Sequence, residues 1–589
     1  MKIRIYLIII ICTLFFSSCL KTAVPLNTIS SGVVWNDSAL LDAYTVNVYA
    51  NMYFLHNSGC DLTNGYSLYA NNFFSNLSDE SHTDFSWLWL YYYFKPGKMS
   101  AQDFWIASGT PFDMWGYYNT IRQQNEFLAD ITSSKLPAKT IQVRTARMRW
   151  ARAFTYFILA RNIGAVPLIT KPQSESLPLD SLYTPRSSEI SVYDFCISEL
   201  NDIINNNELP AVKFDNGNPT LYEALALESQ IALYAGNLAN AGSTDLNGLL
   251  GVPAGRASDL YQTAYTASQK IINSGVFSLF NQLPNNKSEN FRQLFLTKQN
   301  SEVIFSKEFN GPVNGVGGFY DDYEFPIGLV GGWPGNASQP YFEMAEEFEW
   351  TNGTPGVPGT FDLNALQQGE WSHDNLWKNK DPRFFATLYT QGTTFQGVFL
   401  QMNANMLDAN GNLINQAGAN YNPGLNTGFG VFKYCNDALI KPVGGSSNTD
   451  VIVHRLGGIL LNYAEAAFAL NKTSDALTAI NMIRVRAGVQ PLATLTLDNI
   501  HHERKVELAF ENGDRYYSLK SWRQAATVLS HQYSGLQYTV DSKTGNFKVT
   551  VLNNIDGSNP PAFFQKNYYL PIPTSIISAN PSIVQNPNY

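Results

Sequence analysis

The chain has 589 residues and a formal net charge of −9 at pH 7, and this acidic balance argues against nucleic acid as a ligand, because phosphate binding requires a basic surface. Aromatic residues make up 13% of the chain and charged residues only 15%, against a usual charged share of about a quarter, so the composition suits neutral, hydroxyl-rich ligands better than phosphates. The length is sufficient for several domains, although an array of helical repeats also accommodates it in one body.

The first predicted element is a targeting segment. A short basic region precedes an apolar run at residues 5–16, which at roughly a dozen residues is too short to span a bilayer of about 30 Å as a helix. Two serines then precede Cys19, and small residues before a cysteine at this distance are typical of a bacterial lipobox. We therefore predict a signal peptide at residues 1–18 and lipidation of Cys19. An ordinary secretory signal that is cleaved elsewhere is the alternative.

An aromatic segment follows in the N-terminal region. Trp87, Trp89, Tyr91 and Tyr93 alternate along the chain, so on a strand they would share one face. Sugar rings expose C–H faces that stack on aromatic planes, which makes Trp87 and Trp89 candidate ligand contacts. Packing of both tryptophans in the core is the alternative.

Helices are predicted over the middle of the chain. Residues 144–170 place apolar side chains at i, i+4, i+7, i+8, i+11 and i+12, which is one face of a helix that Gly164 and Pro167 end. A second helix is predicted over residues 218–236, with proline at its first position, and a third over residues 258–274. The simplest arrangement makes these two helices antiparallel neighbours.

Two segments then interrupt the helical pattern. Residues 310–340 surround Tyr320, Tyr323 and Trp333 with glycines, and a glycine-rich loop that presents aromatic rings can adapt to a ligand. Residues 391–450 are rich in Asn and Gly and are predicted to form short strands joined by long loops. Long loops on a rigid scaffold are a usual location for binding sites.

Motifs for catalysis or metal binding are hard to find. The chain has no Gly-x-Ser-x-Gly nucleophile elbow, no phosphate-binding loop and no His-Glu-x-x-His helix. A glycosidase needs only two carboxylates at a fixed separation, which a sequence does not measure. Asp321, Asp322 and Glu324 could supply the oxygen ligands of a calcium site, but a solvated acidic loop is the favoured interpretation. We predict no catalytic residue, no metal and no cofactor.

The C-terminal third returns to helices. Residues 454–470 and 474–488 form an alanine-rich helix pair, and such pairs, recurring without close sequence identity, look like tetratricopeptide units. A generic helical bundle is the alternative.

The most distinctive segment lies at residues 503–523 and joins a helix, a glycine stop and an aromatic-cationic tail. It carries Glu503, Glu507 and Glu511 at successive i,i+4 positions, and their like charges would repel unless cations lie among them. A structural ion network is favoured over a metal or acid/base site, because an unpaired buried charge is very costly. Gly513 suits the left-handed conformation that ends a helix. The cations that the sequence places nearby are Arg504, Lys505 and Arg515.

This segment resembles the C-terminal signature helix of the SusD/RagB family, which comprises surface lipoproteins of the Bacteroidetes outer membrane that capture nutrients, mostly glycans, for a partner transporter. Further segments resemble family landmarks in the family order. They are residues 115–128, 144–170, 192–200, 381–389 and 570–589.

The resemblance implies a mainly α fold, in which a tetratricopeptide-like scaffold of four helix pairs carries irregular loops and small strands that form the ligand face. It implies one SusD-like domain over residues 19–589, with an N-terminal part at about 19–300 and a C-terminal part at about 301–589. Family members that bind starch-like glycans use an aromatic arc, contributed partly by the N-terminal region and partly by a loop between the third and fourth helix pairs. By position, Trp87 or Trp89 and then Trp333, with Tyr320 or Tyr323, correspond to that arc.

The implied function is glycan binding at the cell surface without covalent chemistry. The implied partner is a SusC-like TonB-dependent transporter of the outer membrane, to which the lipid-anchored protein delivers its ligand. Two alternatives remain open from the residues alone. The same architecture could bind peptides or another nutrient, or the chain could be a surface glycoside hydrolase.

Overall fold

The structure is a computed structural model, and it describes residues 34–52, 73–83, 89–102, 114–174, 176–311, 317–332, 335–421, 423 and 427–589, with only the backbone of Trp89 and Leu90. Cys19, Trp87 and Trp333 lie outside these residues, as does the predicted signal peptide. The expectations about them therefore stay predictions.

Helices account for most of the secondary structure. They are α1 (Ser38–Ala50), α2 (Phe73–Leu77), α3 (Trp89–Phe94), α4 (Tyr117–Asp130), α5 (Ala138–Ile163), α6 (Leu179–Leu182), α7 (Glu189–Asn205), α8 (Leu221–Ala241), α9 (Ala257–Asn273), α10 (Lys287–Leu296), α11 (Tyr320–Glu324), α12 (Phe342–Glu347), α13 (Leu363–Gln368), α14 (His373–Leu376), α15 (Pro382–Thr387), α16 (Leu456–Ala469), α17 (Thr473–Ala487), α18 (Leu497–Glu507), α19 (Asp514–Ser521), α20 (Ala525–Val528) and α21 (Thr574–Ala579).

The strands are short. They are β1 (Ser81–His82), β2 (Thr244–Asp245), β3 (Leu250–Gly251), β4 (Val303–Lys307), β5 (Gln339–Pro340), β6 (Leu388–Thr390), β7 (Thr394–Phe395), β8 (Val398–Phe399), β9 (Asn405–Leu407), β10 (Leu413–Ile414), β11 (Phe429–Val431), β12 (Val451–Arg455), β13 (Gly535–Asp541) and β14 (Phe547–Leu552). One four-stranded sheet has the order β10-β9-β13-β14, with β9 and β13 parallel. Smaller antiparallel pairs include β4 with β12 and β6 with β11.

The long helices form a continuous packed series. In the order α4, α5, α7, α8, α9, α16 and α17, each helix packs against the next, and the largest hydrophobic core lies along this series. Trp150 of α5 is fully buried, with its ring against Tyr49 and Phe305. The prediction of a mainly α scaffold of packed helix pairs is confirmed.

Local signals explain where these helices end. Gly164 follows α5 with φ = +84°, as predicted. The predicted end of α8 at Gly236 is wrong, because the helix continues to Ala241 and ends at Gly242, whose φ is +66°. A Cβ on Gly236 would lie 3.0 Å from the ring of Tyr261, so this glycine permits close packing of α9 on α8.

Two other local predictions are corrected. Residues 89–94 form helix α3 rather than a strand, and positions two apart on a helix point to different sides, so Tyr91 and Tyr93 do not share a face. The predicted helix at 454–470 begins only at Leu456, because His454 and Arg455 lie on β12 and pair with β4.

The glutamates of the signature segment lie in a buried ion network, as predicted. Glu503 contacts Arg383 at 2.6 Å and Arg484 at 2.8 Å. Glu507 contacts Arg383 at 3.0 Å and Arg455 at 2.7 Å. The remaining members, which are also buried, are Glu302, Glu349, Asp381, Lys433, Arg486 and Glu511.

The predicted source of the cations is wrong. Arg504 contacts Asp514 at 2.6 Å, and Lys505 and Arg515 both contact Asp79, each at 2.8 Å. The cations that neutralise the three glutamates come instead from α15, α17, β12 and the segment after β11. The helix also ends earlier than predicted, at Glu507, so that the left-handed Gly513 precedes α19.

The helices of the described residues include none that is both long and apolar enough to cross a membrane. Cys196 and Cys435 are free and buried.

The network makes a stability prediction. Burial alone would raise the pKa of Glu507, but Arg486, Arg455 and Arg383 hold it well below its usual range. Glu507 therefore contributes stability at neutral pH that is lost as the pH falls toward its folded-state pKa. We expect Glu507→Gln to lower the free energy of unfolding at pH 7 by about 3–5 kcal/mol, because it leaves buried arginines uncompensated.

Urea denaturation of the purified variant checks this expectation, with Glu126→Gln as the matched control. Glu126 pairs with Arg122 at 2.8 Å on a solvent-exposed helix face, and exposed pairs of this kind contribute only about 0.3–0.5 kcal/mol. Equal effects of the two substitutions would contradict the network's role.

Candidate ligand-binding face

Three loops meet beside the small strands and form what we call the loop face. The loop face comprises residues 317–332, 394–400 and 436–447. The side chain of Gln396 donates a hydrogen bond to the carbonyl of Leu439 at 2.5 Å, and the N–H of Gly331 donates to the carbonyl of Pro442 at 2.8 Å. Residues 436–447 are thus hydrogen-bonded directly to both of the other loops.

The loop face exposes large apolar side chains. They are Val398 (51% exposed), Phe399 (75%), Ile440 (76%) and Val443 (47%). Contiguous exposed apolar surface on a soluble domain often marks a binding site. These four residues were not individually identified from the sequence, although they lie in the predicted loop segment 391–450.

A tight hairpin presents Phe399. Strands β7 and β8 pair through a two-residue turn, in which Gln396 and Gly397 both have positive φ, +52° and +77°, as type I′ turns require. Phe395, beside the turn, and Leu400, directly after β8, are fully buried. The hairpin is therefore fixed in the core, while Phe399, which pairs with Thr394 at the end away from the turn, holds its ring in solvent.

Glycines hold the backbone on either side of residues 333–334. A Cβ on Gly332 would lie 2.6 Å from the Asp322 carboxylate, and one on Gly331 would lie 2.5 Å from the carbonyl of Lys441. Gly335 has φ = +77° and passes so close to the Phe325 carbonyl that a Cβ would lie 2.3 Å from its oxygen. Larger residues at these positions would displace the loop, so the described flanks of Trp333 have a defined position.

The two candidate tyrosines occupy different environments. Tyr320 is half-buried, with its ring 5.6 Å from that of Tyr434, so part of its surface remains exposed to solvent. Tyr323 is only 2% exposed and packs near Phe319. Burial in the core prevents Tyr323 from contacting a ligand in this structure, contrary to the expectation from sequence.

The acidic residues next to these tyrosines, Asp321, Asp322 and Glu324, are buried rather than solvated, which corrects the favoured interpretation. Asp321 accepts a hydrogen bond from the backbone N–H of Asn436 at 2.7 Å. Glu324 accepts from the backbone N–H and hydroxyl of Ser338 at 3.1 and 2.8 Å. The carboxylates thus attach α11 to separate loops. In the part of the chain described, no group of His, Cys, Asp or Glu side chains is arranged to hold a metal ion.

Comparison with known proteins gives a consistent set of relatives. Residues 301–589 match the model of the SusD family. A SusD-like protein of Bacteroides ovatus is 24% identical over 507 residues, which are 80% of this chain and 80% of that protein.

Solved structures share the fold. The crystal structure of a SusD-like protein from Bacteroides fragilis superposes with a TM-score of 0.72 at 22% identity, covering 96% of this chain and 100% of that one. A SusD-like carbohydrate-binding protein from the same species gives a TM-score of 0.70 at 21% identity, with coverages of 93% and 99%. The mainly α fold with small sheets is therefore the SusD-like fold.

The buried acid under the loop face predicts a pH effect. Burial raises the pKa of Asp321 to about 7, so the folded protein retains a proton that the unfolded chain loses near pH 4. Protonated Asp321 therefore makes its full contribution to the free energy of unfolding at low pH, and this contribution is lost as the pH rises toward 7. We expect Asp321→Asn to melt at a higher temperature than wild type at pH 8, with a gain on the order of 4 kcal/mol for roughly three pKa units, and to match wild type near pH 4. Thermal unfolding at both pH values checks this, with the exposed Asp374→Asn as control. A pH-independent difference would count against the assignment.

Proposed function

Residues 301–589 belong to the SusD family, and from this premise we propose that the protein binds glycans at the cell surface without covalent chemistry, using the loop face. The observation that carries the proposal is the exposed apolar set on two loops of the loop face that are hydrogen-bonded to each other, with Phe399 and Ile440 about three-quarters exposed. The carbohydrate-binding relative of the same fold supports this choice of ligand class.

The chemistry of the loop face suits sugar rings. An exposed aromatic plane can stack on the C–H face of a sugar, and apolar neighbours increase the area removed from water. Amide side chains are abundant in the same region, and Asn420 bonds both the carbonyl of Ile327 at 2.7 Å and the N–H of Gln401 at 2.9 Å. These bonds hold the loops in one arrangement before a ligand arrives, which lowers the entropy cost of binding. We propose Trp333, Tyr320, Trp87 and Trp89 as further contacts.

Phe399 provides the sharpest test. A sugar that covers about 80 Å² of one ring face, at about 25 cal/mol per Å², contributes on the order of 2 kcal/mol, or roughly thirtyfold in affinity. We expect Phe399→Ala to weaken glycan binding by about this factor without lowering the melting temperature, because the ring is exposed. Calorimetric titration with a panel of oligosaccharides and a panel of peptides measures the effect and separates the two ligand classes.

The matched control is Phe564→Ala, which removes an equally large ring that is 55% exposed and lies outside the loop face. Unchanged glycan affinity in Phe399→Ala, or an equal loss in both variants, would contradict a role for Phe399. Trp333→Ala extends the same comparison to the proposed aromatic arc. Formation of shorter products during the titration would instead identify a glycoside hydrolase.

We further propose that Cys19 carries a lipid that anchors the protein to the outer membrane, and that a SusC-like TonB-dependent transporter receives the ligand. A lipid anchor keeps the binding protein at a high effective concentration near such a transporter. The scaffold of packed helices offers it a rigid docking surface.

Purification of the tagged protein from outer membranes in mild detergent should therefore recover a large outer-membrane protein with it. In cells that carry Cys19→Ala, the protein should appear in the soluble fraction, because stable anchoring requires acyl chains. Recovery of the wild-type chain alone while the transporter is expressed would contradict the partner proposal. Membrane retention of the Cys19→Ala protein would contradict the anchor.

A further inference from the structure

A second surface lies on the helical scaffold, between α1 and the first half of α5. This α1–α5 groove has a volume of about 590 Å³, within the range of about 300–1,000 Å³ that is usual for small-molecule sites. Val46 and Tyr49 line it from α1, Arg144 and Arg147 line it from α5, and the turn that carries Asp215 closes one end.

The groove contains buried hydrogen-bond donors without acceptors. Among the described residues, the Tyr49 hydroxyl and the Nε atoms of Arg144 and Arg147 have no hydrogen-bond partner. Each such group is costly to bury. Burial also raises the pKa of Tyr49, so its hydroxyl keeps the proton and remains a donor at neutral pH.

The acidic groups of the groove are already engaged by the same arginines. Asp42 accepts from Arg144 at 2.8 Å, and Asp215 accepts from Arg147 at 2.5 Å. Both contacts use Nη2 atoms, which leaves the two Nε–H groups unpaired. Lys139 adds a further positive charge to the lining. The lining thus carries three cations against two carboxylates, and an acceptor-rich, negatively charged molecule would satisfy both the unmatched donors and the excess positive charge.

We propose that the α1–α5 groove binds a small molecule through a carboxylate or sulfate group, whose oxygens accept hydrogen bonds from the Tyr49 hydroxyl and from Nε of Arg144 and Arg147. Charge-assisted bonds of this kind are about twice as strong as neutral ones. The proposal concerns a different surface from the loop face and does not depend on glycan binding there.

Val46 permits a test that leaves the binding groups intact. It is 64% exposed on α1, so Val46→Asp and Val46→Asn differ by one charge and have nearly equal shape. Sodium glucuronate is titrated into the full-length protein by calorimetry, with glucose as the neutral analogue and sodium sulfate as the free anion, all at constant ionic strength. We expect glucuronate or sulfate, but not glucose, to bind the wild type. We expect Val46→Asn to retain this binding and Val46→Asp to weaken it at least about tenfold, by repulsion of the anion.

Tyr49→Phe tests the hydroxyl directly. Loss of one hydrogen bond should weaken anion binding about three- to tenfold, whereas Tyr222→Phe, outside the groove, should have no effect. Tighter binding of sulfate than of glucuronate would support the proposal and would identify a sulfate group, rather than a carboxylate, as the part of the ligand that the groove recognises. Absence of anion binding, equal binding of glucose and glucuronate, or equal affinities of Val46→Asp and Val46→Asn would overturn it. Phe399→Ala should leave anion binding unchanged, so the two surfaces are tested separately.

Discussion

The buried ion network around Glu503, Glu507 and Glu511 is the constraint on which the C-terminal half depends. Its charges come from segments that are far apart in the chain, from Glu302 to the signature helix, and no member can be buried stably without the others. The ion network leaves little space for a side chain on the neighbouring helix, because a Cβ on Gly457 would lie 2.1 Å from a guanidinium nitrogen of Arg455. A larger residue at this position would therefore displace the Arg455 guanidinium from its place in the network. The helical scaffold and the irregular segments consequently assemble as one cooperative unit.

The ion network is connected to the loop face through α15 and β6. Arg383, at the start of α15, contacts Glu503 and Glu507, and α15 continues directly into β6. The hydroxyl of Tyr389 on β6 donates to the carbonyl of Glu324 at 2.9 Å and to the side chain of Asn336 at 3.0 Å. These two residues lie on either side of the 333–334 segment. The position of the proposed binding loops is thus determined by buried polar bonds, and the exposed apolar residues contribute little to it.

Sequence patterns predict features that depend on residues close together in the chain, but they do not predict contacts between residues that are far apart in it. The period of apolar residues located α5, α8 and α9, and the spacing of glutamates correctly indicated an ion network. It did not identify Arg383 as a partner of Glu503, because the two residues are separated by 120 positions. The solvent exposure of individual side chains is equally hard to predict from the sequence. The aromatic residues near position 320 look equivalent in sequence, yet Tyr323 is buried and Tyr320 is half-buried, which only tertiary packing decides.

The loop face and the α1–α5 groove differ in chemistry but share structural support. The ring of Trp150 packs against two other rings. Its centroid lies 5.9 Å from that of Tyr49 in the groove and 5.3 Å from that of Phe305 on β4. Strand β4 precedes the first loop of the loop face, and it pairs with β12, which carries Arg455 of the ion network. A change at Trp150 would therefore disturb the groove directly, through Tyr49, and the loop face indirectly, through β4. Changes at exposed positions such as Val46 or Phe399 alter one surface alone, because neither side chain contributes to the common core. This separation allows each surface to acquire its own specificity on a single scaffold.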